Sequence, residues 1–77
     1  MSLKGFRKKE KRTKKQLSDL TGISMRTIDD YETGKRDING AKLSTLLKLC
    51  KALSCRLEDI LTDEETLDLL QEVERPQ

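Results

Sequence analysis

Apolar residues recur along this chain at intervals of three and four, with charged residues between them. The pattern is helical throughout, and no stretch keeps the period of two that a strand requires. The first helix is predicted over about residues 3–10, with Leu3 and Phe6 as its core residues. The second opens at Thr13-Lys-Lys-Gln16, a capping box in which the Thr hydroxyl and the Gln amide satisfy orphan backbone donors reciprocally. It is expected to bury Leu17 and Leu20 and to end near Thr21-Gly22, where glycine permits a left-handed exit. Ser24 reads as the N-cap of a third helix. Ile23 and Ile28 stand at the spacing of a hydrophobic staple, Ile28 and Tyr31 point inward, and Gly34 is the stop. After a loop over 35–38, Ile38 and Leu43 repeat the staple around Asn39 as cap. The fourth helix carries the most regular stripe: Leu43, Leu46, Leu47, Cys50 and Leu53. A short fifth helix holds Leu57, Ile60 and Leu61. Thr62-Asp-Glu-Glu65 reads as a further capping box, starting a terminal helix with Leu67, Leu70 and Val73 on one side and Leu69 nearby. The expected class is all-α.

Composition narrows this picture. A chain of 77 residues makes one domain. It buries about 60–65% of the surface exposed when unfolded, so the core is small. With 34% hydrophobic and 3% aromatic residues, Leu and Ile must supply the packing. No apolar run approaches the roughly 18–20 residues of a membrane span and no signal peptide is visible, so a cytoplasmic protein is expected. Cys50 and Cys55 have no histidine or second cysteine pair to complete a metal set, and both read as reduced core residues. No cofactor and no enzyme activity are expected. There is no His, no nucleophile paired with a base and no glycine-rich phosphate loop, and Gly34-Lys35-Arg36 lacks the required glycine spacing.

Charge is distributed unevenly. Residues 1–36 hold eleven Lys/Arg against five Asp/Glu, a net of +6, whereas residues 37–77 hold five against nine, a net of −4. Eight basic residues fall within 4–15, and eight acids with no base within 58–74. The basic half suits a polyanion partner; a solvated helix face is the plainer reading.

Two short helices joined by Gly22-Ile23-Ser24 make a helix-turn-helix, whose second helix can enter a DNA major groove about 12 Å wide. The stretch "TKKQLSDLTGISMRTIDDYETGKR" resembles the phage-repressor and Cro type of helix-turn-helix. The resemblance rests on Thr13, Leu17, Gly22, Ile23, Ser24, Thr27, Ile28, Tyr31, Glu32, Gly34, Lys35 and Arg36. "LSTLLKLCKALSCRLEDIL" looks like the last two helices of that family, so the likeness covers residues 3 to 61. It implies a five-helix DNA-binding domain over 1–61, followed by an acidic C-terminal helix and tail over 62–77. It further implies a sequence-specific, repressor-like transcriptional regulator that binds double-stranded DNA as a homodimer on an inverted repeat, with recognition helix 24–33 in the major groove. By the same resemblance Met25, Arg26, Asp29 and Asp30 occupy base-facing positions. Thr13, Lys14, Ser24, Thr27, Thr33, Lys35 and Arg36 occupy phosphate-facing ones. Arg7 and Glu32 match an ion pair bridging the first and third helices. The chain departs from the family at Lys11 and Arg12, where glycine and leucine are usual, and at Ser54, where glycine is common.

Asp29 and Asp30 are the anomaly, since carboxylates repel phosphate. One could accept a hydrogen bond from a cytosine amino group, or Asp30 could orient Arg26 one turn away. Alternatively the surface serves a protein partner, as in an antitoxin-like interaction module, which the acidic C-terminal segment also suits. Leu57, Leu67, Leu70 and Val73 are the candidate dimer residues.

Overall fold

A computed structural model describes residues 2–74; Met1 and residues 75–77 of the expected tail, Pro76 among them, lie outside the described residues. Among the described residues six α-helices and one 3-10 turn follow in order: α1 Leu3–Lys9, α2 Lys14–Thr21, α3 Met25–Thr33, the turn Ile38–Gly40, α4 Leu43–Leu53, α5 Leu57–Ile60 and α6 Glu64–Glu74. Among the described residues there is no strand, and no helix is long and apolar enough to cross a membrane.

Local chemistry sets the helix ends. Ser2 accepts from the Gly5 amide to start α1, and Thr13 and Gln16 form the capping box that starts α2. Ser24 caps α3 by accepting from the Thr27 amide. Gly22 (φ 76°) and Gly34 (φ 83°) end α2 and α3 in the left-handed conformation. Two residues with side chains do the same work: Lys11 (φ 55°) after α1 and Ser54 (φ 51°) after α4. A Cβ in that region costs roughly 1–2 kcal/mol. At residue 11, where the resembled family usually has glycine, lysine adopts the left-handed conformation at a cost.

Leu17, Ile28, Leu49, Leu53 and Ile60 form the fully buried centre, one or two from each of α2 to α5, with Leu3 of α1 closing one side. Leu67 and Leu70 of α6 pack against this cluster from outside.

Four expectations from periodicity need correction. Leu20 is 55% exposed; the fourth residue along, Thr21, is buried instead. Its hydroxyl donates to the Leu17 carbonyl (2.8 Å) and accepts from the Ile23 amide (3.1 Å), so a polar side chain tightens the turn while satisfied. On α4 the buried stripe is Leu46, Leu49, Cys50 and Leu53, while Leu43 (61%) and Leu47 face outward. With seven apolar residues on eleven positions, more than one stripe satisfies helical spacing, and packing against α2 and α5 selects one. Asn39 does not cap α4, whose first turn follows Lys42 with no side-chain cap. Its carbonyl oxygen instead accepts from the Thr62 and Asp63 amides (2.9 and 3.0 Å), and its amide donates to Asp37 and Thr62, joining the loop before α4 to the start of α6. Finally, the α6 cap is Asp63 rather than Thr62: its carboxylate accepts from the Thr66 amide (3.0 Å) and hydroxyl (2.7 Å). These bonds hold the Asp63 carboxyl below the usual carboxylate range.

Candidate nucleic-acid interface

The outward side of α3 begins where its N-cap ends. Met25 and Arg26 are exposed in the first turn, and Asp29 and Asp30 lie half-buried one turn later. Ile28 is fully buried on the opposite side, so the helix is anchored by its back and presents its front. α2 and α3 pack extensively on each other, with the turn Gly22-Ile23-Ser24 between them.

The i, i+4 pair Arg26–Asp30 is not formed: among the described residues neither side chain makes an ion pair. An exposed pair of this kind gains only about 0.3–0.5 kcal/mol and loses side-chain entropy, so solvation wins. The carboxylate that finds a partner is Asp29. The Lys14 ammonium, from the first turn of α2, donates to it at 2.5 Å across the junction of α2 and α3. Lys14 holds the Asp29 carboxyl below the usual carboxylate range, through the hydrogen bond first and its charge second; Lys35 and Lys4 add smaller pulls. Asp29 is thus a neutralised acid, and Lys14 is a cation already committed in part.

A second pair fixes the C-terminal end of α3. The Arg7 guanidinium donates to both oxygens of Glu32 (2.6 and 3.0 Å) and to the Arg12 carbonyl (2.9 Å). The Glu32 side chain is only 2% exposed. The bidentate bond pushes the Arg7 pKa up. With three donors engaged inside the protein, Arg7 braces α1, the α1–α2 loop and α3.

Among the residues matched to phosphate-facing positions, the hydroxyls differ in what remains free. Thr13 spends its oxygen accepting from the Gln16 amide, and Thr27 accepts from Ser24 (2.9 Å). Among the described residues neither Thr13 nor Thr27 donates its own hydroxyl hydrogen, which leaves each able to donate to a phosphate oxygen. The Ser24 hydroxyl is spent on the cap and on Thr27, and Thr33 donates weakly to the Asp30 carbonyl (3.4 Å). Lys35 and Arg36 are exposed beyond the Gly34 cap. The Arg36 guanidinium lies over the Tyr31 ring, 6.0 Å from its centroid, a cation–π contact that the sequence spacing did not reveal. Its amide also bonds the Asp30 carbonyl (3.1 Å), so this cation is held at the end of α3.

Leu57, Leu67 and Leu70 are half-buried against the core, whereas Val73 is 82% exposed. Leu43 and Leu69, both exposed, join Val73, Leu57 and Leu70 around an apolar groove of about 370 Å³.

The chain matches the family model of the Cro/C1-type HTH DNA-binding domain over residues 2–66. It is also similar to a Bacillus subtilis (strain 168) protein described as the uncharacterized HTH-type transcriptional regulator YozG. The two are 39% identical over 61 residues, which cover 75% of this chain and 70% of the relative. No solved structure gives a significant match.

Proposed function

The chain belongs to the Cro/C1-type helix-turn-helix DNA-binding family, and from that premise we propose that it is a repressor-like, sequence-specific regulator acting as a homodimer on an inverted repeat. α3 would enter the major groove, with the two α3 helices of a dimer about 34 Å apart. The observation that carries this reading is the charge arrangement around α3. Asp29 is cancelled by Lys14, Arg26 is exposed in the first turn with no ion pair among the described residues, and Lys35 and Arg36 extend the cationic edge. Arg26 would read a guanine through O6 and N7. Asp30, without an ion-pair partner among the described residues, fits an acceptor for a cytosine amino group better than a positioner of Arg26. Thr13, Thr27, Lys35 and Arg36 would contact phosphate, with Lys14 bridging between Asp29 and the backbone. The apolar groove bordered by Leu43, Leu69 and Val73 is the proposed dimer surface.

Selection of bound sequences from random duplex DNA tests the reading. An enriched inverted repeat with half-sites about one helical turn apart is the expected result. The second reading, a protein-interaction module, draws on Asp30, which has no ion pair among the described residues, and on an α6 whose charged residues are all acidic. It would be favoured if no sequence is enriched and DNA retention at low salt shows no preference.

A further inference from the structure

Two thiols with no part in the DNA-facing surface meet at the C-terminal end of α4. Cys50 is buried in the last turn of that helix, and Cys55, half-buried, follows the left-handed Ser54. The Cys55 amide donates to the Cys50 carbonyl at 3.0 Å. This six-to-one bond is the Schellman closure, which folds the residue after the left-handed position back onto the helix. An apolar contact commonly fills that place. Here Cys50 and Cys55 occupy the two positions that the closure joins. Cys50 belongs to the core on one side. On the other, both cysteines line a groove of about 500 Å³ together with Leu47, Leu57 and Leu70.

Both cysteines are free, and among the described residues no group of three His, Cys, Asp or Glu converges to hold a metal. Burial pushes both thiols up, Cys55 to about 12, so at neutral pH they keep their protons. Attack on a peroxide requires the thiolate and would be slow. A reagent that bonds both sulfurs and removes both protons suits the pair better, because the second bond forms within one molecule at high effective concentration.

We propose that Cys50 and Cys55 form a dithiol site for trivalent arsenic compounds, one arsenic atom bonding both sulfurs. With an organoarsenic(III) oxide, two S–H bonds and the arsenic–oxygen bond break, two arsenic–sulfur bonds form, and the oxygen leaves with both protons as water. No electrons are transferred, so no oxidant is needed. Two thiols brought together by the Schellman closure on one groove fit the bent geometry of trivalent arsenic; a linear two-coordinate ion would require the sulfurs on opposite sides of it.

The probe is phenylarsine oxide, added to the folded full-length protein and followed by intact mass. The expected product is one arsenical per chain with loss of one water. It is retained against an excess of a monothiol such as 2-mercaptoethanol and released by 2,3-dimercaptopropanol. Cys55→Ser and Cys50→Ala should each lower retention by about 100-fold or more, the effective-concentration advantage of two-point attachment. Cys55→Ser alters a half-buried position and keeps the test open if Cys50→Ala loosens the core; circular dichroism reports folding of both. A wild-type adduct as labile to monothiol as those of the single-cysteine variants overturns the proposal, as does an adduct that forms only after unfolding in urea.

Discussion

Two ion pairs hold α3, one at its middle and one near its C-terminal end, and they do different work because water reaches them differently. Arg7–Glu32 is nearly dry, bidentate and supplemented by the Arg12 carbonyl. Lys14–Asp29 is a single contact with both side chains about two-fifths or more exposed. The first pair cannot lose one member without leaving a charge in a poorly solvated place. The second can, since solvent takes over the released charge. The buried pair therefore belongs to the fold and the exposed pair to the recognition surface.

The largest expected effect tests the buried member. Glu32→Ala or Arg7→Ala should destabilise the domain by about 3–5 kcal/mol in urea denaturation. The double replacement Arg7→Met with Glu32→Leu should recover most of that loss, because two apolar side chains leave no orphan charge. A double variant as unstable as either single one would mean that the guanidinium bond to the Arg12 carbonyl, rather than the pair, holds the structure.

Next comes Arg26, in the first turn of α3 ahead of both pairs and without an ion pair among the described residues. Arg26→Ala should leave the urea midpoint unchanged. It should cost about 1–3 kcal/mol of specific DNA binding and relax preference at one base pair of each half-site. Asp30→Asn should change preference at a different base pair; a change at the base pair that Arg26 reads would make Asp30 a positioner after all.

The contrast between conflict and solvent extends to the backbone. Ser54→Gly and Lys11→Gly relieve left-handed residues and should each raise stability by roughly 0.5–1 kcal/mol. Gly22→Ala should cost about 1 kcal/mol, since a Cβ there meets nothing within 4 Å and only the backbone resists. A much larger loss at Gly22 would point to a steric role in the turn.

The smallest effect on stability is expected at the exposed pair. Asp29→Asn should leave the denaturation midpoint unchanged but strengthen non-specific DNA binding, with a salt dependence steeper by about one unit as Lys14 turns fully to phosphate. The pH behaviour follows from the lowered Asp29 pKa. Its contribution is fully present above the usual carboxylate value near 4 and is lost as pH falls through the lowered value. DNA affinity between pH 5 and 8 should therefore show no titration of Asp29.

What the residues determined by themselves was local. Caps at Thr13 and Ser24 and glycine stops at Gly22 and Gly34 depend on atoms within a few positions of one another, so the sequence was enough to place α2, α3 and the turn between them. The family membership rests on the same local pattern. Choices among equivalents lay beyond it. α4 offers apolar residues around most of its circumference, and only packing against α2 and α5 selected Leu49 over Leu43. Asn39 could cap locally, yet it satisfies two amides from a segment more than twenty residues away, a pairing that no local spacing encodes. The two aspartates of α3 were adjacent and chemically identical in the sequence. Their difference arose when helix crossing brought the Lys14 ammonium within hydrogen-bonding distance of Asp29 and gave Asp30 no cation among the described residues, because the energy of a charge depends on which other charges the fold brings near it.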